Sequence, residues 1–284
     1  GKAKISERAV PKEKAARKYN DIYKDEYLNR IAFPIGGLGA GMFCLEGSGA
    51  ISHMSVRSKP DVFNEPGVFG AICVKGLKNG AKIIEGTVPD WKRFGQPNTG
   101  NGAGGSIFGL PRFERSSFET KFPFATVLLE EKDFPLRATI KGWSPFIPTD
   151  ADNSGLPVGA LEYRITNGGN RSAECVFSFH GKNFMKHNDG GTNSIQKLAN
   201  GYVLANAATA EKPFLEGSFA IFTDRDNTSV DHCWFRGGWF DPLTMVWEAI
   251  RQAEVKNVEP VESGAPGASL YVPFQLNPGE QTTI

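Results

Sequence analysis

Asp150-Ala-Asp-Asn-Ser-Gly155 places two carboxylates, an amide and a hydroxyl ahead of a glycine. That is the spacing of the first half of a calcium loop, in which ligands at positions one, three and five precede a turning glycine at six. The second half does not follow: the twelfth position is Leu161, Glu162 comes one place late, and the flanks read as strands instead of helices. Asx turns, in which Asp and Asn side chains bond the backbone two residues on, account for Asp150, Asp152 and Asn153 more simply. The surrounding stretch, residues 141–158, also holds Trp143, Pro145, Phe146 and Pro148, too apolar and too stiff for a solvated linker. Rigid loops of this composition are sites or docking surfaces more often than spacers.

Other residue patterns fall short of the spacing that their chemistry would need. Gly36-Gly-Leu-Gly-Ala-Gly41 fails as a dinucleotide fingerprint, because counting from Gly37 and Gly39 the third glycine falls on Met42 and no helix pattern follows. It reads as a backbone bend that needs positive φ or close approach. His53, His180, His187 and His232 lack metal-ligand spacing, and no nucleophile elbow surrounds any serine. Paired carboxylates for glycoside hydrolysis need only spatial proximity. Asp61, Glu65, Asp150, Asp152 and Asp241 are all available, and nothing in the sequence selects a pair. Trp234-Phe-Arg-Gly-Gly-Trp-Phe-Asp241 gathers aromatic surface around Trp234 and Trp239, readable as a sugar-stacking surface or as a buried aromatic cluster. No metal or other cofactor is expected.

The bulk numbers bound the setting of these residues. A formal net charge of +1 gives no field for nucleic acid or an anionic membrane. No apolar run approaches the ~20 residues a membrane-spanning helix needs. Cys44, Cys73, Cys175 and Cys233 form no CxxC pair, and the apolar settings of Cys73 and Cys175 predict buried free thiols. The chain opens on Gly and shows no signal peptide, as expected if a targeting segment has been removed.

The elements that must position these loops are short strands. With 33 Gly and 18 Pro, apolar runs are cut into pieces bounded by turns. Residues 67–75 and 81–85 are such pieces, as are runs at 119–130 and 136–141. In Cys175-Val-Phe-Ser-Phe-His180 strict alternation puts Cys175, Phe177 and Phe179 on one face and Val176, Ser178 and His180 on the other. Residues 1–30 form an N-terminal helical segment, with Tyr19, Ile22, Tyr23 and Tyr27 on a docking face of a helix over 8–30. Residues 242–253 predict a second short helix, and 95–109 a Gly-rich mobile loop. The expected fold is mainly β: one large antiparallel sandwich domain over 31–284, supersandwich-like, with few short helices. The last residues, Gln281–Ile284, begin a strand, so the polypeptide is expected to continue in its parent.

Several segments then coincide with one family. Phe33-Pro-Ile-Gly-Gly-Leu-Gly-Ala-Gly-Met-Phe43, Phe63-Asn-Glu-Pro-Gly67, Phe122-Pro-Phe-Ala125, Asp133-Phe-Pro-Leu136 and the block from Trp143-Ser-Pro-Phe-Ile-Pro148 to Asn167 occur in order. Together they resemble the N-terminal domain of the bile-acid β-glucosidase, or non-lysosomal glucosylceramidase, family (glycoside hydrolase family 116). The resemblance implies a β domain packed on a C-terminal (α/α)6 domain that holds the nucleophile and the acid/base of a retaining hydrolase. No catalytic residue carries over onto this chain. The implied partners are that helical domain and a carbohydrate or glycolipid substrate. Gly37, Gly39, Trp143, Asp150, Asp152, Asn153, Trp234 and Trp239 are the candidate substrate or domain-interface residues. A free-standing carbohydrate-binding module using Trp143, Trp234 and Trp239 is the alternative.

Overall fold

The computed structural model describes residues 17–57, 59–62, 64–94 and 106–284. Residues 1–16 of the expected N-terminal helical segment and residues 95–105 of the Gly-rich segment lie outside the described residues. The described remainder of that N-terminal segment departs from expectation. It holds one four-residue 3-10 helix, Asp25–Leu28, and no continuous helix. Asn20 and Asp25 take positive φ (56° and 52°), which interrupts a right-handed helix. Tyr23 instead pairs its backbone with Phe118, at 2.8 and 3.0 Å. Tyr23 packs on the main core while Tyr19, Ile22 and Tyr27 stay exposed, so strand-like pairing wins over helical periodicity here.

Strands β1 (Ala32–Ile35), β2 (Met42–Glu46) and β3 (Ile51–Ser55) form a three-stranded antiparallel sheet, with the Gly-rich turn joining β1 to β2. Then come β4 (Val68–Val74), β5 (Ala81–Ile83) and a short helix, α1 (Asp90–Phe94). Strands β6 (Arg115–Lys121), β7 (Phe124–Glu130) and β8 (Leu136–Trp143) meander, and a cis Phe122–Pro123 link splits the single run expected over 119–130. Helix α2 (Ala151–Ser154) interrupts the loop before β9 (Ala160–Asn167), and β10 (Ala173–Lys182) returns to pair with β4. Strands β11 (Thr192–Leu198), β12 (Gly201–Ala207) and β13 (Gly217–Phe222) make a second three-stranded sheet. Strand β14 (Ser229–Asp231), helix α3 (Pro242–Arg251), β15 (Gly267–Leu276) and β16 (Gln281–Thr283) complete the described chain.

The mainly β, antiparallel class holds, and so does the helix over 242–251. Its start follows local rules: Asp241 accepts from the Thr244 amide at 3.0 Å and Pro242 opens the first turn. The single two-sheet sandwich does not follow from the topology. The strands fall into four sheets, and the two larger ones are ordered β14-β15-β10-β4-β5 and β16-β9-β8-β7-β6.

These two five-stranded sheets share the main apolar core. Ala125, Val127 and Leu129 of β7 and Ala138 and Ile140 of β8 meet Cys175 and Phe177 of β10 and Leu270 of β15. The Tyr163 and Phe177 rings approach to 5.1 Å. The alternation read in β10 is realised, because Val176 turns the other way into a second cluster with Cys73, Trp234 and Val246 of α3. Strand β4 is buried along its whole length, which explains its near-continuous apolar run. All four cysteines are free thiols. Burial pushes the Cys44 thiol up to about 11 and the Cys175 thiol up to about 12, which keeps both unreactive.

Candidate functional site

The fold joins the two loops singled out in the sequence. The Leu38 amide donates to the Ser154 carbonyl at 2.8 Å, and the Gly36 amide to Ser144 Oγ at 2.9 Å. At Gly37 a Cβ would lie 2.0 Å from the Leu156 carbonyl oxygen, so the two backbones touch where only glycine fits. Gly39 serves differently: it holds φ +76° with open space around it. Gly37→Ala is therefore expected to prise the loops apart and cost about 1–3 kcal/mol. Gly109→Ala, at a site with nothing within 4 Å, is the control and is expected to stay within ~0.5 kcal/mol. Urea unfolding compares the two, and equal midpoints would contradict the contact.

The shape of the 141–158 loop is set by hydrogen bonds within it. Asp150 caps α2: Oδ1 accepts from the Asn153 amide at 3.0 Å, and Oδ2 accepts from Asn153 Nδ2 at 2.6 Å. The Asn153 side chain, with help from its backbone, holds the Asp150 carboxyl below its ordinary range. Ser154 Oγ bonds both the amide and the carbonyl of Ile147, each at 3.0 Å. Thr149 sits at φ 71°, a conformation seldom taken by a β-branched residue. Asp150 and Asn153 thus act as turn formers, and Asp152 stands exposed in the first turn of α2. Among the described residues no group of three or more His, Cys, Asp or Glu could hold a metal ion.

Between the loops lies a groove of about 540 Å³. The Gly-rich turn, residues 59, 60 and 62, Phe122 and residues 144–146 are among those that line it. Its surface is apolar and open: Leu38 is 61% exposed and Phe122 63%. Phe122 meets Phe146 edge-to-face at 4.9 Å. Ile147, Leu156 and Val158 of the same loop are also exposed.

The three candidate tryptophans do not form one surface. Trp143 points outward from the end of β8, half-buried, and its indole N–H donates to Glu162 Oε1 at 2.8 Å. Lys141 Nζ lies 3.9 Å from the same oxygen and 4.6 Å from the Phe124 ring centre. Trp234 is buried and donates to Ser269 Oγ at 2.7 Å, which removes it from any face on which a sugar could stack. Trp239 is 93% exposed in the loop leading to α3, a helix packed over the other five-stranded sheet.

One cluster had no signal in the sequence. Lys92 of α1 is inserted between Glu46 of β2, at 2.7 Å, and Glu65. Arg112 Nε donates to Glu85 Oε2 at 3.2 Å, and Lys82 pairs with Glu131 at 2.7 Å. The members are scattered from position 46 to 131, on β2, β5, α1 and the connections between elements, and only the tertiary fold brings them together.

With this geometry in place, the sequence model of the N-terminal domain of glycosyl-hydrolase family 116, described as beta-glucosidase 2, matches residues 32–284. No curated protein matches the chain.

Proposed function

The chain belongs to the family of N-terminal domains of glycosyl-hydrolase family 116, and from that premise we propose that it is the non-catalytic half of a retaining β-glucosidase. In this reading the two catalytic carboxylates sit in a C-terminal helical domain, which docks on the groove between residues 36–41 and 141–158. The substrate is a β-glucoside, glycolipids such as glucosylceramide included. The observation that carries the reading is the exposed apolar groove, walled by loops held rigidly together. A surface this apolar is stabilised by being covered, at roughly 25 cal/mol per Å² of apolar area.

The duties of the carboxylates support it. Of the five considered for catalysis, Asp150 and Asp241 cap helices and Glu65 pairs with Lys92. The loops would then form part of the rim of the partner's cleft.

Mixing this chain with the separately expressed C-terminal domain of its parent tests the proposal. Activity on a chromogenic β-glucoside is expected from the mixture and not from the 284-residue chain alone. Leu38→Asp or Phe122→Asp, both at exposed positions, is expected to weaken association tenfold or more. Robust turnover by the chain alone would refute the reading, as would unchanged association of both variants.

A further inference from the structure

Each of the four sheets ends in two outer strands, whose unpaired backbone groups invite another chain unless something blunts them. Among the described residues, all of these strands but one are blunted. Strand β1 carries Pro34, β11 carries Lys197 and β16 has only three residues. Strand β6 carries Arg115, Glu119 and Lys121 and pairs with Tyr23. Asn64 bonds β3 at the His53 and Met54 amides, Arg112 bridges β5 and Val258 bridges β14. Strand β13, Gly217-Ser-Phe-Ala-Ile-Phe222, has neither charge nor proline. Its backbone bonds β12 on one side and nothing else among the described residues. The Thr223 amide meets the Asn200 carbonyl at 3.1 Å, on the β12 side. Backbone groups alternate along a strand, so those of Ser218, Ala220 and Phe222 point away from β12. These three residues are exposed, whereas Phe219 and Ile221 pack on the main core.

We propose that β13 pairs antiparallel with β13 of a second copy of this chain, about a two-fold axis at Ala220. Two three-stranded sheets then join into one, and a single seam satisfies both edges. The register suits the residues. Ala220 meets itself, and Ser218 lies opposite Phe222 on each side of the axis, so a small side chain faces each ring. All three carry outward backbone groups, and each opposed pair exchanges both of its N–H···O bonds. On the core side Phe219 lies opposite Ile221, an aromatic and β-branched pair. Phe222 is 67% exposed and shares its row with Gly201 and Leu198, so closing the seam covers apolar surface as well. The strand holds no charge, so no like charges are brought face to face. Pairing along one strand buries less than the ~1,200 Å² of a standard interface, which makes the dimer reversible, with a dissociation constant on the order of 10–100 μM. The seam shares no residue with the groove and does not depend on what docks there.

Sedimentation velocity of the 284-residue chain, over roughly 5–500 μM, reads the association directly. The native chain is expected to pass from monomer to dimer within that range. Ala220→Pro deletes an amide that points away from β12, a change an edge strand tolerates, and is expected to stay monomeric. Ala220→Lys and Ala220→Glu keep the backbone and set like charges against each other at the axis. Each is expected to weaken the dimer tenfold or more, and an equimolar mixture of the two to associate again through opposite charges. That recovery belongs to this register, because only at the axis does position 220 face itself. A native chain that stays monomeric up to about 500 μM would overturn the proposal. So would undiminished association in Ala220→Pro, or a Lys and Glu mixture no tighter than either variant alone. Should Ala220→Pro fail to fold, the Lys and Glu pair decides, since both changes sit on an exposed side chain.

Discussion

Trp234→Ala is expected to destabilise the fold by about 3–5 kcal/mol, while Trp239→Ala shifts it by less than ~0.5 kcal/mol. The two residues share a type and a short segment, yet Trp234 is 2% exposed and Trp239 93%. Trp234 fills the cluster between α3 and the β4–β10–β15 face, against Phe69, Tyr271 and Val246. It also closes a polar chain. Its indole N–H reaches Ser269 Oγ, Ser269 Oγ bonds His180 Nδ1 at 2.7 Å, and His180 Nε2 bonds Ser178 Oγ at 2.8 Å. Truncation opens a cavity and removes one partner from a buried network, two costs that add. Burial holds His180 down at about 3, so this histidine stays neutral near pH 7 and acts as a hydrogen-bonding strut. Urea unfolding of both variants checks the pair. A Trp234→Ala loss below about 1 kcal/mol would show that the core tolerates the gap. Conversely, a large loss in Trp239→Ala would mean that its loop is packed.

Much of this fold is legible in local patterns. Alternation in Cys175–His180 assigns both faces of β10 correctly, because a strand has only two faces and both are covered here. Asp241-Pro242 marks the start of α3, since capping is a local hydrogen-bond problem that adjacent residues solve. The turn-forming reading of Asp150 and Asn153 succeeds for the same reason. What is hidden depends on contacts far apart in sequence. Nothing near Tyr23 signals that its backbone will pair with Phe118 instead of continuing a helix. Composition does not reveal that the strands divide among four sheets. The aromatic run at 234–240 looks uniform, and only the pairing of β14 with β15 decides which tryptophan goes inside. The two loops around the groove are each readable as special. Their contact at Gly37 and Leu156 is not, because no local rule links residues so distant.

The charge cluster is the extreme case of that limit, and its weight is measurable through Lys92. Lys92→Met is expected to cost about 3–5 kcal/mol. The side chain is 2% exposed and sits between two carboxylates, so its removal leaves Glu46 without a counter-charge in a dry place. The comparison is Lys197→Met, which breaks a pair with Glu259 whose partners are 61% and 73% exposed. Water screens that pair, and its loss is expected to stay within ~1 kcal/mol. The same physics predicts a rescue. Lys92→Met with Glu46→Leu removes the orphaned charge along with its partner and is expected to recover part of the loss, since apolar replacement of a buried pair is often neutral. pH supplies an independent check with a definite sign. Without Lys92, Glu65 and Glu85 lose a cation that opposes their rise, so both are held further up and protonation relieves the strain as pH falls. The Lys92→Met deficit is therefore expected to be smaller at pH 5 than at pH 8 in urea unfolding. A deficit matching that of Lys197→Met, or one growing toward acid, would mean that water reaches Lys92 and that the cluster does not act as one electrostatic unit.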